Sequence, residues 1–384
     1  MPFDRIIYFG DSLTDSGAFF NLSSQLLALP LPSTLFGYAG QFSNGAVYAD
    51  IAPTILGIGS DESLNYAVGG AEAVGSFNMG GFLASSPLAL PNPDPALLNF
   101  DSNLGGQVAR FLEDRPALGD LSSAAASFFI GLNDFNGLAR GLDPATFDPL
   151  AFGAQAQQLA ADIITATLGA ATQAALAGVG TIIINTLPVG GFFPLTQAVP
   201  EFAQPLANDL VRQFNDALIA SSAGLQQLGV EVVIVDFETL ADEIMANGTS
   251  YGFLNTTDAL LSGTGANPEL IDPDGEGPLP PQPGFEVNPE LAALDPDQFA
   301  FYDLLHPTTA THGLFGAFQA ATLAGENIGF LGDGRNFDRG TADDDLTFGQ
   351  GGRDFVFGGA GDDALFGGND RDNLRGGADN NIDT

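Results

Sequence analysis

Short apolar runs rich in β-branched and aromatic residues recur along most of the chain, separated by longer segments with helical periodicity. The runs are predicted strands at 5–10, 64–68, 126–131, 181–186 and 230–236. The predicted helices between them cover 45–56, 105–114, 154–177 and 208–228. Strands that read as continuous apolar runs and alternate with helices indicate a parallel sheet covered on both faces. The pattern therefore predicts an α/β fold, a three-layer α/β/α sandwich of about five parallel strands.

Three segments depart from this alternation. Residues 77–100 are apolar and rich in proline, and residues 262–298 are acidic and rich in proline and glycine. Both are too long for ordinary connections, so we expect functional or flexible loops. Residues 163–200 carry no charge, but glycine and proline break the run. We therefore predict an amphipathic helix and a buried strand there rather than a transmembrane segment.

After about residue 331 the pattern changes to a nine-residue repeat of glycine, aspartate and, in three copies, an aliphatic residue (Val356, Leu365 and Leu374). It matches the calcium-binding repeat G-G-x-G-x-D-x-U-x, most clearly at "GGAGDDALF" and "GGNDRDNLR". A disordered Gly/Asp tail is the alternative, but regularly spaced aliphatic residues favour a folded repeat. The chain is thus predicted to hold an α/β domain at 1–328 and a C-terminal parallel β-roll at 329–384.

The repeat also predicts a structural Ca²⁺ site. Aspartates supply hard oxygen ligands, and glycine turns expose backbone carbonyls. The predicted ligands are Asp345, Asp354, Asp363 and Asp372, with the carbonyls of Gly349, Gly358 and Gly367. We expect the roll to fold only with calcium, and the α/β domain, with a core of its own, to remain folded and active without it.

Composition excludes several classes of function. The chain has 47 acidic and 10 basic residues, a net charge of -37, so no nucleic-acid partner is expected and anionic membranes should be repelled. All ten basic residues are arginine, which excludes Walker-type and Schiff-base lysines. The absence of cysteine excludes thiol nucleophiles, disulfides and zinc–thiolate sites. The first residues lack the basic and apolar regions of a signal peptide.

Four short segments look unlike structural loops and are expected outside the carboxyl ends of the strands, where sites form in parallel sheets. They are "FGDS" at 9–12, "NYAVGGA" at 65–71, "FFIGLND" at 128–134 and "FYDLLHPT" at 301–308. Each has an ordinary interpretation when it is taken alone. A serine after a strand often caps a helix, and a glycine or asparagine there often forms a turn.

Together these segments contain one set of groups for ester hydrolysis, which needs a nucleophile, a base, a group that orients the base, and oxyanion donors. Ser12 is the candidate nucleophile, expected at a helix N-terminus. Asp303 precedes His306 by three residues, close enough for one turn to join carboxylate and imidazole. Gly70 offers a backbone N–H and Asn133 a side-chain N–H. No G-x-S-x-G elbow is present, which disfavours the α/β-hydrolase scaffold.

His312 is the other histidine of the chain and the alternative base. It lacks an acidic residue three positions upstream, and it is expected at the start of the last helix of the α/β domain. A structural, partly exposed role is the better prediction for it.

The same segments resemble the blocks of the GDSL lipase/esterase family, the SGNH hydrolases, over roughly residues 5–325. The resemblance implies the SGNH, flavodoxin-like fold and a triad of Ser12, His306 and Asp303. It also implies an oxyanion hole formed by the Ser12 N–H, the Gly70 N–H and the Asn133 side chain, with Gly69 as the alternative to Gly70. The C-terminal repeats resemble the RTX repeats of proteins exported by type I secretion, which implies an extracellular protein without an N-terminal signal peptide.

The sequence therefore predicts a secreted serine hydrolase that cleaves carboxylic esters through an acyl-enzyme. Its expected partner is a small-molecule or lipid ester. One alternative is a phospholipase or lipase whose residues 77–100 form a lid or an acyl-chain surface. Another is a calcium-dependent surface or adhesion protein with an inactive hydrolase scaffold. The sequence carries no signal for an oligomeric state.

Overall fold

The computed structural model describes residues 3–34, 37–140, 148–197, 204–261, 295–332, 334–368, 371–378 and 382–383. Most of the predicted acidic loop, residues 262–294, lies outside these residues. The strands are β1 Arg5–Gly10, β2 Ser63–Asn65, β3 Ala124–Phe129, β4 Thr181–Asn185, β5 Glu231–Val235, β6 Asn255–Ala259, β7 Phe299–Phe301, β8 Asn327–Phe330, β9 Phe337–Arg339, β10 Asp345–Phe348, β11 Phe355–Gly359, β12 Ala364–Phe366, β13 Asn373–Gly377 and β14 Ile382–Asp383. The α-helices are α1 Ala18–Leu26, α2 Tyr48–Ile55, α3 Met79–Ala84, α4 Leu104–Asp114, α5 Leu132–Arg140, α6 Pro149–Leu176, α7 Pro194–Gln197, α8 Gln204–Ser222, α9 Phe237–Asn247 and α10 Thr309–Ala324.

The central sheet has five strands in the order β2-β1-β3-β4-β5, and every pair is parallel. Each strand overlaps one of the predicted apolar runs, so the predicted parallel α/β sheet is confirmed. β3 and β4 are buried along their whole length, because helices cover both faces of the sheet.

Two neighbouring residues of β1 show which helices cover each face of the central sheet. The Tyr8 ring packs edge-on against Tyr48 of α2, and its hydroxyl donates to Gln319 of α10. The next side chain, Phe9, packs against Phe111 of α4. Successive side chains of a strand point to opposite faces, so α2 and α10 lie on one face and α4 on the other.

The uncharged stretch contains the C-terminal part of α6 and then the buried strand β4, as predicted. Among the described residues, α6 is the one helix whose length and composition would suffice to cross a membrane. One face of it, including Ile163, Ala170 and Ala174, lies in the core of the protein. This packing is that of a sandwich helix that covers the sheet.

Residues 77–100 fold back onto α1. The segment contains α3 and a short 3₁₀ turn, and Met79 and Leu83 are buried there. With Phe19 and Leu22 of α1 they form a second apolar cluster beside the main core. The predicted excursion is therefore a packed apolar unit in this structure.

The C-terminal strands form two further parallel sheets, ordered β14-β12-β10-β8 and β13-β11-β9. Consecutive strands along the chain alternate between these sheets, so residues 18 apart are neighbours on adjacent strands. Val356 and Leu365 are buried, as the repeat predicts for its aliphatic position. The first strand of these sheets begins at Asn327; the division of the chain into 1–328 and 329–384 stays a prediction.

The β8-β10-β12 face packs on the α/β part of the chain. Phe330, Phe348 and Phe366 stack in a column, and the ring of Tyr251 meets the latter two. The buried carboxylate of Glu243 in α9 accepts a 2.6 Å hydrogen bond from the side chain of Gln350. The main apolar cluster runs without a break from the central sheet into this face.

Candidate active site

Ser12 lies in a turn directly after β1, and its side chain is almost buried. The carbonyl of Asp11 accepts hydrogen bonds from the N–H groups of Thr14 and Asp15, at 3.1 and 3.0 Å, which closes a single helical turn. The first α-helix begins only at Ala18. The expectation that Ser12 lies at a helix N-terminus is therefore wrong.

The structure brings the three predicted triad residues together. Ser12 Oγ lies 2.9 Å from Nε2 of His306. On the other side of the ring, Nδ1 lies 2.8 Å from Oδ2 and 2.9 Å from Oδ1 of Asp303. With Nδ1 protonated toward the carboxylate, Nε2 is the free lone pair that can accept the serine proton. The arrangement can thus convert a hydroxyl into a nucleophile.

Four donors surround the Asp303 carboxylate. Its Oδ1 accepts from the backbone N–H groups of Leu305 and His306, both at 2.8 Å, besides the imidazole. Its Oδ2 accepts from the hydroxyl of Tyr38 at 2.5 Å. Burial by itself would raise the pKa of Asp303, but the facing imidazole and these hydrogen bonds hold the pKa below its usual value. Asp303 is therefore an ionised acceptor that fixes the orientation of the ring.

The segment that contains Tyr38 also covers the imidazole. The ring of Phe42 lies 4.9 Å from that of His306 at an angle of 34°. Phe42 belongs to the apolar cluster formed by α1 and residues 77–100. One side of the histidine therefore borders an apolar surface.

The second predicted block is tied to the first and the third by hydrogen bonds. The N–H of Gly69 donates to Oδ2 of Asp15 at 2.7 Å, and the side-chain N–H of Asn133 donates to the carbonyl of Ala71 at 2.9 Å. Because the N–H of Gly69 is used in this way, Gly70 is the better candidate donor of the pair. Gly70 has φ 76, a left-handed conformation that suits glycine.

Two buried aspartates support these blocks, and sequence reasoning missed both. Asp15 accepts from the N–H groups of Gly17, Ala18 and Phe19, besides Gly69. Asp134 accepts from two N–H groups at residues 73 and 74, just after the second block. Burial raises the pKa of each carboxyl to about 6. Their position inside "DSLTDSG" and "GLND" was the available signal.

His312 is buried in α10, not partly exposed as expected. Its Nδ1 lies 3.3 Å from the backbone N of Tyr48 and accepts that N–H. Burial lowers the pKa of His312 to about 3, so the ring is neutral at ordinary pH. It joins two helices of one layer and lies apart from the proton path between Ser12 and His306.

The predicted calcium ligands fall into two columns of the C-terminal sheets. The backbone N–H of Asp345 donates to Oδ1 of Asp363 at 3.0 Å, and that of Asp354 to Oδ1 of Asp372 at 2.8 Å. Asn336 occupies the first position of the second column and donates its N–H to Asp354 at 2.7 Å. Carboxylates 18 residues apart are therefore stacked, as the two-sheet arrangement requires.

The glycines leave a small space between carboxylate and carbonyl oxygens. A Cβ on Gly349 would lie 2.2 Å from the carbonyl oxygen of Gly367 and 2.9 Å from Oδ2 of Asp354. A Cβ on Gly340 would likewise lie 2.2 Å from the carbonyl oxygen of Gly358 and 2.4 Å from Oδ2 of Asp345. Beside Asp363 the corresponding carbonyl is that of Gly376, which the sequence analysis did not name.

This donor set fits a hard cation. Oδ2 of Asp354 is buried without a hydrogen-bond partner, and burial raises the pKa of this carboxyl. A buried carboxylate oxygen without a donor is costly unless a cation neutralises it. Within the described ranges, no three acidic or histidine side chains converge on one point, so backbone carbonyls would have to complete any such site.

Comparison with known proteins identifies the family. The profile of the GDSL-like Lipase/Acylhydrolase family matches residues 6–317. The chain belongs to this family, and its parallel sheet with helices on both faces is the α/β fold of the GDSL (SGNH) hydrolases.

Several curated proteins are similar to the chain. It is 24% identical to the thermolabile hemolysin of Vibrio parahaemolyticus, over 80% of this chain and 61% of the hemolysin. It is 25% identical to the esterase EstA of Pseudomonas aeruginosa, over 84% of this chain and 47% of the esterase. It is also 25% identical to the phosphatidylcholine-sterol acyltransferase of Aeromonas hydrophila, over 86% of this chain and 92% of that protein. The chain thus spans about half to three-fifths of the length of the first two relatives.

Among solved structures, a member of the lipolytic protein G-D-S-L family from Veillonella parvula is 13% identical. The match covers 66% of this chain and 87% of that one, with a TM-score of 0.33.

Proposed function

We propose that the protein is a serine hydrolase that cleaves carboxylic esters through the triad Ser12, His306 and Asp303. The observation that best supports this proposal is a continuous hydrogen-bond path. Ser12 Oγ lies 2.9 Å from Nε2 of His306, and Nδ1 of the same ring lies 2.8 Å from Oδ2 of Asp303. Membership of the acylhydrolase family and the esterase named among the relatives support the proposal.

In the proposed reaction, Ser12 Oγ attacks the acyl carbonyl while Nε2 of His306 accepts its proton. The imidazolium then donates this proton to the leaving alcohol, and the acyl-enzyme forms. Water repeats the sequence with His306 as base and releases the acid. Asp303 stays ionised and stabilises the imidazolium; its lowered pKa suits this role.

The oxyanion is assigned to the N–H groups of Ser12 and Gly70 and to the side chain of Asn133. One N–H of the Asn133 carboxamide is held by Ala71, which fixes the orientation of the other. The Gly70 N–H lies between two anchored residues, Gly69 and Ala71. Preorganised donors of this kind each contribute about 10²–10³ in kcat.

Covalent labelling with a fluorophosphonate tests the nucleophile. We expect label on Ser12 and a loss of ester turnover of several orders of magnitude in Ser12→Ala, with the fold intact. Ser24→Ala, which removes an exposed hydroxyl from α1, is the matched control and should keep full activity. Retention of more than about a tenth of the activity in Ser12→Ala would refute the assignment.

The two histidines give an internal comparison for the base. His306→Ala should be nearly inactive. His312→Gln should retain turnover, with reduced stability because it disturbs a buried contact with Tyr48. Asp303→Asn should lower kcat less than His306→Ala, since the carboxylate orients the ring and transfers no proton. The reverse order of the two histidine variants would place the base at His312.

A lipid ester is the second candidate substrate, favoured by the apolar cluster that reaches the imidazole through Phe42. An acyl chain could lie along residues 77–100, where Leu88 and Leu90 are exposed. The phosphatidylcholine-sterol acyltransferase named among the relatives is consistent with a lipid substrate. Turnover of p-nitrophenyl esters that increases with acyl-chain length would support it; strict preference for acetate would oppose it.

We further propose Ca²⁺ as a structural cofactor in a C-terminal β-roll of RTX type, and export by type I secretion. Asp345, Asp354, Asp363 and Asp372, with neighbouring glycine carbonyls, would hold the ion. Bound calcium would neutralise the stacked carboxylates, including the buried oxygen of Asp354. Isothermal titration calorimetry should detect calcium binding that Asp354→Asn weakens.

The alternative of a protein that only adheres to surfaces through this roll is tested by the same two experiments. Such a protein would bind calcium but fail to react with the fluorophosphonate.

A further inference from the structure

The few positive charges of the chain are unevenly distributed. Five of its ten arginines occur after residue 331, in a chain with a net charge of -37 and no lysine. They are Arg335, Arg339, Arg353, Arg371 and Arg375. All five side chains are exposed.

The strand register places Arg339 and Arg375 on one face of the β9-β11-β13 sheet. Arg339 pairs with Phe357, which pairs with Arg375, so the three form one row across the strands. The arginines at 335, 353 and 371 stand four residues earlier in each strand or its approach. Side chains two or four apart share a face, and the buried Asp354 and Val356 point the other way.

The row between the two arginine rows contains Phe337, Phe355 and Asn373, and Phe357 lies in the row of Arg339 and Arg375. Phe337 pairs with Phe355, and Phe337 is 73% exposed. Arg335 lies over the ring of Phe355 at 5.2 Å, and Arg375 over that of Phe357 at 5.5 Å. We call this surface of five arginines and three phenylalanines the Arg–Phe face.

The other C-terminal sheet, β14-β12-β10-β8, explains why the Arg–Phe face does not pack on the α/β part of the chain. The equivalent outward positions of β8, β10 and β12 carry Phe330, Phe348 and Phe366, which pack on the α/β part. The two sheets lie back to back, so the Arg–Phe face points away from that contact. In the described part of the chain, the ion pairs between side chains involve Arg212 and His306, so none involves this face.

We propose that the Arg–Phe face binds the surface of an anionic lipid membrane. A guanidinium group can bind two phosphate oxygens at once, and an exposed ring such as that of Phe337 can enter the boundary between headgroups and acyl chains. The two arginine rows stand four residues apart along the strands, about 13.6 Å, and neighbouring strands are about 4.8 Å apart, so the guanidinium groups form a flat array that can face several phosphates.

Other polyanions fit this face less well. Single-stranded nucleic acid stacks its bases on open aromatic rings, whereas guanidinium groups cover Phe355 and Phe357. A long polyanion would also extend beyond the face onto the acidic remainder of the protein. The net charge of the chain predicts repulsion from anionic membranes, and the proposal limits this expectation to the rest of the surface. A membrane contacts only the side that faces it, and repulsion from more distant carboxylates is screened over about 8 Å at physiological ionic strength.

The proposal does not depend on esterase activity, and the test uses binding alone. The full chain with saturating calcium is sedimented with vesicles of phosphatidylcholine, with or without phosphatidylglycerol. We expect binding only when phosphatidylglycerol is present, and weaker binding as salt increases. Arg335→Gln, Arg353→Gln and Arg375→Gln should each weaken binding about fivefold, and the triple variant roughly a hundredfold. Arg212→Gln, which removes one exposed charge elsewhere, should bind like the parent protein.

Phe337→Ser should weaken vesicle binding without changing its salt dependence, because it removes the inserted ring and no charge. Circular dichroism with calcium verifies that each variant is folded. Equal binding of the parent and the triple variant would overturn the proposal. So would binding of a single-stranded oligonucleotide in preference to vesicles, or arginine-dependent self-association that replaces vesicle binding.

Discussion

Asp303 shows how a fully buried carboxylate remains charged in this protein. Burial opposes ionisation, but the imidazole, two backbone N–H groups and the Tyr38 hydroxyl together outweigh it. The orientation of His306 then depends on a carboxylate that is itself fixed from two sides. We therefore expect Tyr38 to be a positioning residue that acts on the proposed base, His306, through Asp303.

Tyr38→Phe tests this role at the scale of one atom. Loss of the hydroxyl should lower kcat about tenfold and leave KM nearly unchanged, because one charge-assisted hydrogen bond is removed from Asp303 and none from the substrate. Tyr66→Phe, which removes a hydroxyl bonded to Asp114 elsewhere, is the control and should keep kcat. A change in KM alone would argue against positioning.

At the scale of elements, the connection from β2 to residue 74 is held in place by two carboxylates that lie outside it. Asp15 receives three N–H groups at the start of α1 and one from Gly69, so a single carboxylate joins the helix to the candidate oxyanion loop. Asp134 joins the same loop to the start of α5. The loop contains no strand, and these two carboxylates hold it in place.

Asp15→Asn should therefore reduce both stability and turnover. An amide places an N–H₂ group against N–H donors, and loss of hydrogen bonds to a buried charged acceptor costs about 1.5–3 kcal/mol. We expect a lower Tm and a lower kcat measured on the same sample. Asp120→Asn, at an exposed turn where the carboxylate also accepts an N–H, is the control and should change neither. A lower Tm with unchanged kcat would separate Asp15 from the site.

At the scale of the whole molecule, the C-terminal sheets share a core with the hydrolase. Leu346 and Phe348 belong to the same apolar cluster as the central sheet, and Gln350 donates to the buried Glu243. The expectation that the α/β part is independent of calcium was based on two separate cores. The shared cluster revises it, since unfolding of these sheets would expose the face on which Tyr251 packs.

Chelation of calcium should accordingly lower the Tm of the whole chain and reduce ester turnover at raised temperature, and added calcium should restore both. Phe348→Ala, with calcium present, should destabilise the hydrolase by about 3–5 kcal/mol because it leaves a cavity in the shared core. Differential scanning calorimetry is the measurement. A hydrolase transition at the same temperature with and without calcium would contradict the coupling.

The pH dependence of stability is also a property of the whole chain. Burial raises the pKa of Asp11 to about 7 and those of Asp15 and Asp134 to about 6, from the usual 3.8. Because the folded state binds these protons more tightly, stability is greatest below about pH 4 for these groups and decreases as pH rises to about 7.

We therefore expect a higher Tm at pH 5 than at pH 8 in the absence of calcium. Asp11→Asn removes the largest of the three contributions and should make the profile flatter, since an amide can still accept the N–H of Leu13. A steeper profile in Asp11→Asn, or a higher Tm at pH 8 in the parent protein, would reject this account.

The sequence alone determined the parallel sheet, because each central strand is an apolar run that must be buried on both faces. It also determined the residues of the candidate site, since Ser12, Asp303 and His306 belong to short polar segments at strand ends. Only the tertiary structure decided that Asp15 and Tyr38 support them, because these contacts join residues as far as 265 positions apart. It also decided the turn at Ser12 and the burial of His312. Lastly, it distinguished the two C-terminal sheets: the same nine-residue repeat gives one face that packs on the hydrolase and one that carries exposed arginines, because alternate repeats fall on opposite sheets.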